Sequence, residues 1–204
     1  MLMIASLGLS GQKKVAKKML DNITDKYDQF ESIDITFDLT LTYPERRSQN
    51  QQAHIVQKGN KFVFTSEEQD IYGDGEDVYL YLKERNEVQI NDFDADDELG
   101  LMTPKDLLKQ YRTDKFEYDL EQKTNTHLYI VFKPLDKESE YSKYRISIDK
   151  KKEDFETIEA YGKDGSHITV KIATSVFNKS YASNYFTFDT NKYPDVIVED
   201  LRID

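Results

Sequence analysis

The chain has 204 residues, of which 39 are acidic and 28 are basic, so its formal net charge is −11 at pH 7. This charge opposes binding to the phosphates of nucleic acids and to anionic membrane surfaces. The sequence contains no cysteine, which excludes disulfides, thiolate metal sites and a cysteine nucleophile. Its 14 tyrosines and 11 phenylalanines favour β structure.

The first ten residues, MLMIASLGLS, are apolar or small, and the chain turns polar at Gly11-Gln12. This pattern is typical of the apolar part of a signal peptide without its cationic start. It predicts export, with cleavage just before Gly11 or Gln12 and residues 1–11 as the remnant of a signal peptide. The alternative is that these residues are the frayed start of the first helix. No linker rich in Pro, Gly or Ser follows, so residues 12–204 are predicted to form one domain.

Apolar residues recur every three or four positions over residues 13–30, which predicts an amphipathic helix lying on a sheet. Residues 32–43 then alternate between apolar and polar side chains, which predicts a long antiparallel strand with one buried face. Its apolar set includes Ile33, Ile35, Phe37 and Leu39. No helical crossover separates this strand from the next ones, so the sequence predicts an antiparallel meander.

The central stretch, residues 58–92, reads as strands joined by tight turns at Gly59-Asn60 and Gly73-Asp74-Gly75. Phe62 and Phe64 recur at a spacing of two, and so do Tyr79 and Tyr81. Each pair is therefore predicted to lie on one face of a sheet. A sheet face with such large aromatic rings needs either a cover or a ligand.

An acidic loop follows, in which Asp92, Asp94 and Asp96 have the spacing of a calcium-binding loop. The loop lacks the glycine and the final glutamate of that motif, because Asp97 and Thr103 stand there, so we interpret it as a solvated loop without metal. Thr103 and Pro104 then have the chemistry of a helix start. The apolar side of this second helix is formed by Leu107, Leu108 and Tyr111.

The remainder reads as further strands, at residues 116–123, 127–134, 144–149, 155–161, 167–174, 185–189 and 196–201. The total is ten or eleven strands and two main helices. No glycine-rich phosphate loop, HExxH motif or nucleophile elbow is present. The histidines, at 54, 127 and 167, stand alone within strand patterns. The sequence therefore predicts no catalytic site, no metal and no cofactor.

Several segments together resemble a known family. The order is helix, long strand, "KGNKFVF", "IYGDGEDVYLYLKERNEVQI" and then a capped helix, and the chain ends on "YFTFDTNKYPDVIVEDLR". This pattern resembles the periplasmic outer-membrane lipoprotein carrier, LolA, over residues 13–202. The counterparts of its motifs are Lys58 to Phe64, Asp74-Gly75, Val78 to Tyr81, and Val88-Gln89.

The resemblance implies a mainly β fold, namely an unclosed, curved antiparallel β-barrel with helices covering its mouth and an apolar cavity for acyl chains. It also implies a periplasmic monomer that receives lipoproteins from an inner-membrane donor complex and passes them to an outer-membrane acceptor. The family's arginine and proline appear here as Lys58 and Gly59. Lysine keeps the charge but lacks the planar fork of donors, so this position departs from the family's lid mechanism. The predicted gating residues are Lys58, Leu107, Leu108 and Tyr111.

The residues predicted to line the acyl-chain cavity share an apolar or aromatic side chain in an alternating strand pattern. They are Ile33, Ile35, Phe37, Leu39, Phe62, Phe64, Tyr79 and Tyr81. The alternative is that they simply fill a core, since any sandwich or barrel needs such positions. Two other functions stay open, a secreted binding module for another apolar ligand and a protein-interaction sheet without ligand.

Overall fold

The computed structural model describes residues 5–93, 104–113 and 115–202. For residues 5–10, 106, 109 and 110 it describes the backbone alone. These parts contain helices α1 (Ala5–Asp28) and α2 (Pro104–Tyr111) and two 3₁₀ turns, Ser183–Phe186 and Thr190–Lys192. The strands are β1 (Ile33–Thr42), β2 (Gln49–Lys58), β3 (Lys61–Thr65), β4 (Gln69–Gly73), β5 (Asp77–Leu82), β6 (Glu87–Asp92), β7 (Phe116–Lys123), β8 (His127–Pro134), β9 (Tyr141–Asp149), β10 (Asp154–Gly162), β11 (His167–Phe177) and β12 (Ile197–Asp200).

The strands pair in the order β12-β6-β5-β4-β3-β2-β1-β11-β10-β9-β8-β7. The order has two ends, β12 and β7, so the sheet is unclosed. The registers from β2 to β6 and from β7 to β11 are antiparallel, whereas β12 lies parallel to β6. The predicted fold class, a mainly β chain with an unclosed antiparallel sheet and helices, is confirmed.

The chain divides into two compact units. Unit 1 comprises Met1–Gln29, Leu39–Asn50 and Met102–Ile172, and unit 2 comprises Phe30–Asp38, Gln51–Leu101 and Ala173–Asp204. In unit 1, α1 buries Leu20, Ile23 and Tyr27, and the Tyr27 ring meets Phe155 of β10 edge to face at 6.0 Å between centroids. The predicted amphipathic helix on a sheet is thereby confirmed. Its first described turn, residues 5–10, continues the same helix, and the processing of this segment stays a prediction.

Helix α2 lies beside α1 within unit 1. Leu107 and Leu108 are buried. The Tyr111 hydroxyl donates to Asp21 of α1 at 2.8 Å, and its ring packs against Tyr118 of β7. The predicted cap Thr103 lies outside the described residues, as do Asp94, Asp96 and Asp97 of the acidic loop. In the described parts of the chain, no group of three acidic or histidine side chains could hold a metal ion.

One predicted strand is wrong. Residues 185–189 do not pair with a strand, because the chain forms a 3₁₀ turn at Ser183–Phe186, closed by the Tyr185 amide donating to the Ala182 carbonyl at 3.0 Å. The spacing of Phe186 and Phe188 is that of a strand, and both rings are buried. Two buried rings therefore anchor this irregular segment, which explains why its pattern mimics a strand.

Candidate functional site

One face of the strands in unit 2 is apolar. In β3, Phe64 pairs with Ile55 of β2 and Ile71 of β4, and its ring lies 6.3 Å from that of Phe37 in β1. We call this surface the phenylalanine face. Its buried members include Ile33, Ile35, Phe37, Ile55, Phe62, Phe64, Ile71 and Val78. Five of the eight predicted cavity residues belong to it, and Leu39 continues the same alternation along β1, where it is half-buried.

Tyr79 and Tyr81 lie on the other face, so the prediction that they line one surface with Phe62 and Phe64 is wrong. Tyr79 pairs with Tyr72, and Tyr72 pairs with Val63, whose side chain points away from its neighbours Phe62 and Phe64. The turn after Gly73 sets this register, and a shift of one residue there exchanges the faces of every later side chain. The spacing of residues within each strand could not reveal which residues of the two strands share a face.

The opposite surface, which carries Tyr72, Tyr79 and Tyr81, is here called the tyrosine face. Residues 178–196, the C-terminal segment, cross this face within unit 2. Phe188 is buried among the three tyrosines of the face, with ring centroids 5.4 to 6.3 Å away, and stacks on Tyr193 at 4.6 Å. The sequence does not predict this packing. Its only signal was the pair of phenylalanines at 186 and 188, which was interpreted as a strand.

A buried carboxylate fixes the start of the C-terminal segment. Asp34 of β1 lies 2.6 Å from Nε2 of His54 in β2 and 3.1 Å from Nζ of Lys179, and it accepts a short hydrogen bond from the Tyr181 hydroxyl. Burial by itself raises the pKa of Asp34, but the three hydrogen bonds outweigh it and hold the pKa below its usual value. The same burial and the neighbouring carboxylate raise the pKa of the Tyr181 hydroxyl. His54 is thus a partner of a structural carboxylate, as expected for a histidine standing alone in a strand.

A pocket of about 310 Å³ lies between the tyrosine face and the C-terminal segment. Its floor is formed by Val63, Thr65 and Tyr72. The segment contributes a mixture of polar and aromatic side chains, with Ala182, Asn184, Tyr185, Thr187, Asp189, Lys192 and Tyr193. This pocket is separate from the phenylalanine face, since Val63 and Thr65 point away from Phe62 and Phe64 on the same strand.

The predicted gating residues fall into two groups. Leu107, Leu108 and Tyr111 are held in unit 1 by the contacts of α2 described above. Lys58 is exposed at the end of β2 in unit 2, where it pairs with Lys61 across the turn at Gly59. Gly59 has a φ of 59°, which a proline cannot adopt, so the family's proline has no place at this turn. The gating role of all four residues stays a prediction.

No helix in the described part of the chain is long and apolar enough to span a membrane. A protein-family model described as "Outer membrane lipoprotein carrier protein LolA" matches residues 25–189. A search of curated proteins finds no significant match.

Solved structures with a similar fold include three bacterial proteins. An uncharacterized conserved protein from Thermus thermophilus superposes with a TM-score of 0.58 at 10% identity, over 91% of this chain and 99% of that one. A LolA superfamily protein from Nitrosomonas europaea superposes with a TM-score of 0.45 at 12% identity, over 85% of this chain and 98% of that one. A putative outer membrane lipoprotein-sorting protein domain from Vibrio parahaemolyticus has a TM-score of 0.45 at 14% identity, over 84% of this chain and 97% of that one.

At these identities the structural likeness to the Thermus protein shows the fold alone. The family follows from the sequence match, whose description is that of a carrier and not of an enzyme. Because that match extends over residues 25–189, which is most of the chain, this protein belongs to the LolA family of outer membrane lipoprotein carriers.

Proposed function

We propose that this chain is a periplasmic carrier that binds the acyl chains of lipoproteins on its phenylalanine face. It would take them from a donor at the inner membrane and pass them to an acceptor at the outer membrane. The family match supports this proposal, and the observation that carries it is the clustering of Phe37, Phe62 and Phe64 with aliphatic side chains on one face of unit 2.

The physical need for such a face follows from the cost of exposing hydrocarbon to water. Each methylene of an acyl chain contributes ~0.8 kcal/mol, so a lipoprotein with several chains does not diffuse freely through an aqueous compartment. Phenylalanine rings and aliphatic side chains offer broad apolar contact without a fixed hydrogen-bond geometry. Such a face suits hydrocarbon chains, which have no defined shape.

Transfer is proposed to be passive, with direction set by an acceptor that binds the acyl chains more tightly. The sequence contains no phosphate loop that would couple transfer to nucleotide hydrolysis. Periplasmic location is likewise proposed, and it requires export. Detection of Gly11 or Gln12 as the N-terminus of protein purified from cells would support it, whereas an intact Met1 would count against it.

A pair of matched variants tests the proposal. Phe64→Ala and Tyr79→Ala each remove one aromatic ring from the same meander, but from opposite faces. We expect Phe64→Ala to weaken binding of a triacylated lipopeptide at least tenfold, which corresponds to about 1.4 kcal/mol, while Tyr79→Ala leaves binding within about twofold. Fluorescence titration with a labelled lipopeptide measures both.

Thermal melts of both variants show whether the fold is retained, since truncation of a buried phenylalanine costs about 3–5 kcal/mol. Phe64→Leu serves as a milder second variant if Phe64→Ala does not fold. Native mass spectrometry of protein from cells adds an independent readout, with co-purified acylated molecules expected. Lipopeptide binding that survives both Phe64 substitutions and fails in Tyr79→Ala would refute the proposed face. Absence of any bound lipid would favour a protein-interaction sheet.

A further inference from the structure

We propose that the pocket between the tyrosine face and the C-terminal segment is a binding site for a neutral saccharide. The pocket has a volume of about 310 Å³, near the lower end of the range of small-molecule sites, roughly 300–1,000 Å³. A sugar ring or the end of an oligosaccharide suits this size. The site is independent of acyl-chain carriage, because the two surfaces lie on opposite faces of β3.

The first argument is hydrogen-bonding capacity that no other described group of the protein uses. Thr65, Asn184 and Thr187 line the pocket, and their side chains make no hydrogen bond to any other residue in the described parts of the chain. A hydroxyl or a carboxamide can both donate and accept. Sugar hydroxyls have the same dual character, so each of the three side chains can pair with a hydroxyl in either direction.

The second argument is charge. The lining contains one carboxylate, Asp189, and one ammonium group, Lys192, whose charged atoms lie 3.7 Å apart. Hydrogen bonds from the side chain and backbone of Asn191 help to hold the pKa of Asp189 below its usual value, so the carboxylate is ionised. An anionic ligand would meet Asp189 and a cationic ligand would meet Lys192. The pair favours a neutral ligand, to which it offers one strong acceptor and one strong donor.

The third argument is the aromatic surface. Tyr185 is 38% exposed at the pocket, and Tyr193 is half-buried with its hydroxyl 3.4 Å from that of Tyr72. Tyrosine combines an apolar ring with a polar tip. A sugar has the matching combination, since its ring carries a C–H surface on one side and hydroxyls at its edge. The lining thus combines polar and aromatic contacts that suit a polar, ring-shaped ligand.

Amide NMR of the ¹⁵N-labelled full chain tests the proposal, with maltose, cellobiose and N-acetylglucosamine as probes at up to about 10 mM, a concentration that would reveal a Kd as weak as about 1 mM. We expect saturable shifts for at least one sugar, confined to residues 63–72 and 182–193. Thr65→Val keeps the shape of the side chain and replaces the hydroxyl with a methyl group, and Tyr185→Ala removes the exposed ring. Each should weaken binding at least fivefold.

Thr174→Val is the matched control, because Thr174 is exposed on β11 and does not line the pocket. It should leave the sugar affinity unchanged. The proposal is overturned if no sugar shifts these amides, or if Thr65→Val and Tyr185→Ala bind as tightly as the parent chain. Choline chloride or a proline-rich peptide producing the localised shifts in place of the sugars would also overturn it. Lipopeptide binding is measured in the same samples, so the two proposals fail independently.

Discussion

The phenylalanine face and the tyrosine face belong to the same strands, yet they are held by different kinds of contact. The buried members of the first have only hydrocarbon side chains, as at Phe62, Phe64 and Ile71. The second carries buried carboxylates at Asp34 and Asp70, each with a cationic partner. Apolar contact has no preferred direction, whereas a buried carboxylate needs specific donors in fixed positions. The phenylalanine face can therefore accept different apolar neighbours, whereas the tyrosine face requires a cover with specific hydrogen-bond donors.

This difference assigns separate tasks to the two faces. The hydrogen bonds of Asp34 and the ring cluster around Phe188 fix the C-terminal segment of the same chain on the tyrosine face. On the phenylalanine face, one apolar neighbour can replace another without leaving a polar group unpaired. The proposed carrier function would use the adaptable face, while the fixed face keeps the strands in register.

The largest expected effect comes from Phe188→Ala, which removes the central ring of the tyrosine-face cluster. Truncation of a buried phenylalanine costs about 3–5 kcal/mol, and here the cost falls on the docking of the C-terminal segment. Hydrogen exchange should therefore speed up over residues 183–200, while the amides of β3 and β4 stay protected. Val176→Ala, at a residue that is 49% exposed, is the control and should leave exchange unchanged.

Equal exchange rates in Phe188→Ala and the parent chain would contradict the assigned role of this ring. Acceleration throughout β3 and β4 would show that the two faces depend on each other for stability. That second result would remove the distinction between an adaptable and a fixed face.

A smaller effect is expected for Asp34→Asn, which replaces the carboxylate that anchors the segment. Hydrogen bonds to a charged group contribute about 1.5–3 kcal/mol, and the exposure of Lys179 places the loss toward the lower part of that range. The pKa of Asp34 is lowered in the folded chain, so its contribution is present above the ordinary aspartate pKa. It is lost as the pH falls through the lowered value, when the folded carboxylate gains a proton.

Thermal melts of Asp34→Asn and the parent chain at a series of pH values measure this contribution. The difference in melting temperature should be largest near pH 7 and should shrink as the pH falls below the ordinary aspartate pKa. Asp38→Asn is a control on the same strand, because Asp38 is exposed. A difference that stayed constant down to strongly acidic pH would show that packing, and not charge, holds the segment.

The sequence predicts the elements better than it predicts how they face one another. The long strand β1 and the amphipathic helix α1 are confirmed, since their periodicity is a local property. The tight turns are confirmed as well, because Gly59 and Gly75 adopt the positive φ values, 59° and 95°, that the turn residues indicated. Whether Phe62 and Tyr79 lie on the same face of the sheet depends on the register across the turn after Gly73. Hydrophobic spacing within one strand carries no information about that register.

The candidate saccharide pocket was equally hidden from sequence reasoning. Thr65 and Asn184 are ordinary polar residues with no motif around them, and their meeting depends on the path of the C-terminal segment. That path is set by Asp34 and Phe188, which lie far apart in the sequence. By contrast, the burial of Phe37, Phe62 and Phe64 could be predicted, because each residue alternates regularly within its own strand. Their meeting on one face depends on the register between the strands and could not be predicted in this way.

The smallest of these effects is expected for Gly73→Ala, which tests the packing of the phenylalanine face. Gly73 pairs with Phe62 across β3 and β4, and a Cβ added at Gly73 would lie 2.2 Å from Cε1 of the Phe62 ring. The ring must move aside in Gly73→Ala, but Phe62 is only 7% exposed and its neighbours limit that movement. Overpacking of this kind costs roughly 1–2 kcal/mol, or about 2–8 °C in melting temperature for a chain of this size.

In the uncleaved full-length chain, Gly11→Ala is the matched control, since a Cβ there meets nothing within 4 Å and alanine favours the helix. It should leave the melting temperature unchanged or raise it. The double variant Gly73→Ala with Phe62→Leu should recover part of the loss, because the shorter side chain leaves room for the new methyl group. An adaptable face predicts this recovery. A double variant less stable than both single variants would show that the ring of Phe62 is a fixed part of the core. The phenylalanine face would then tolerate a change of neighbours no better than the tyrosine face does.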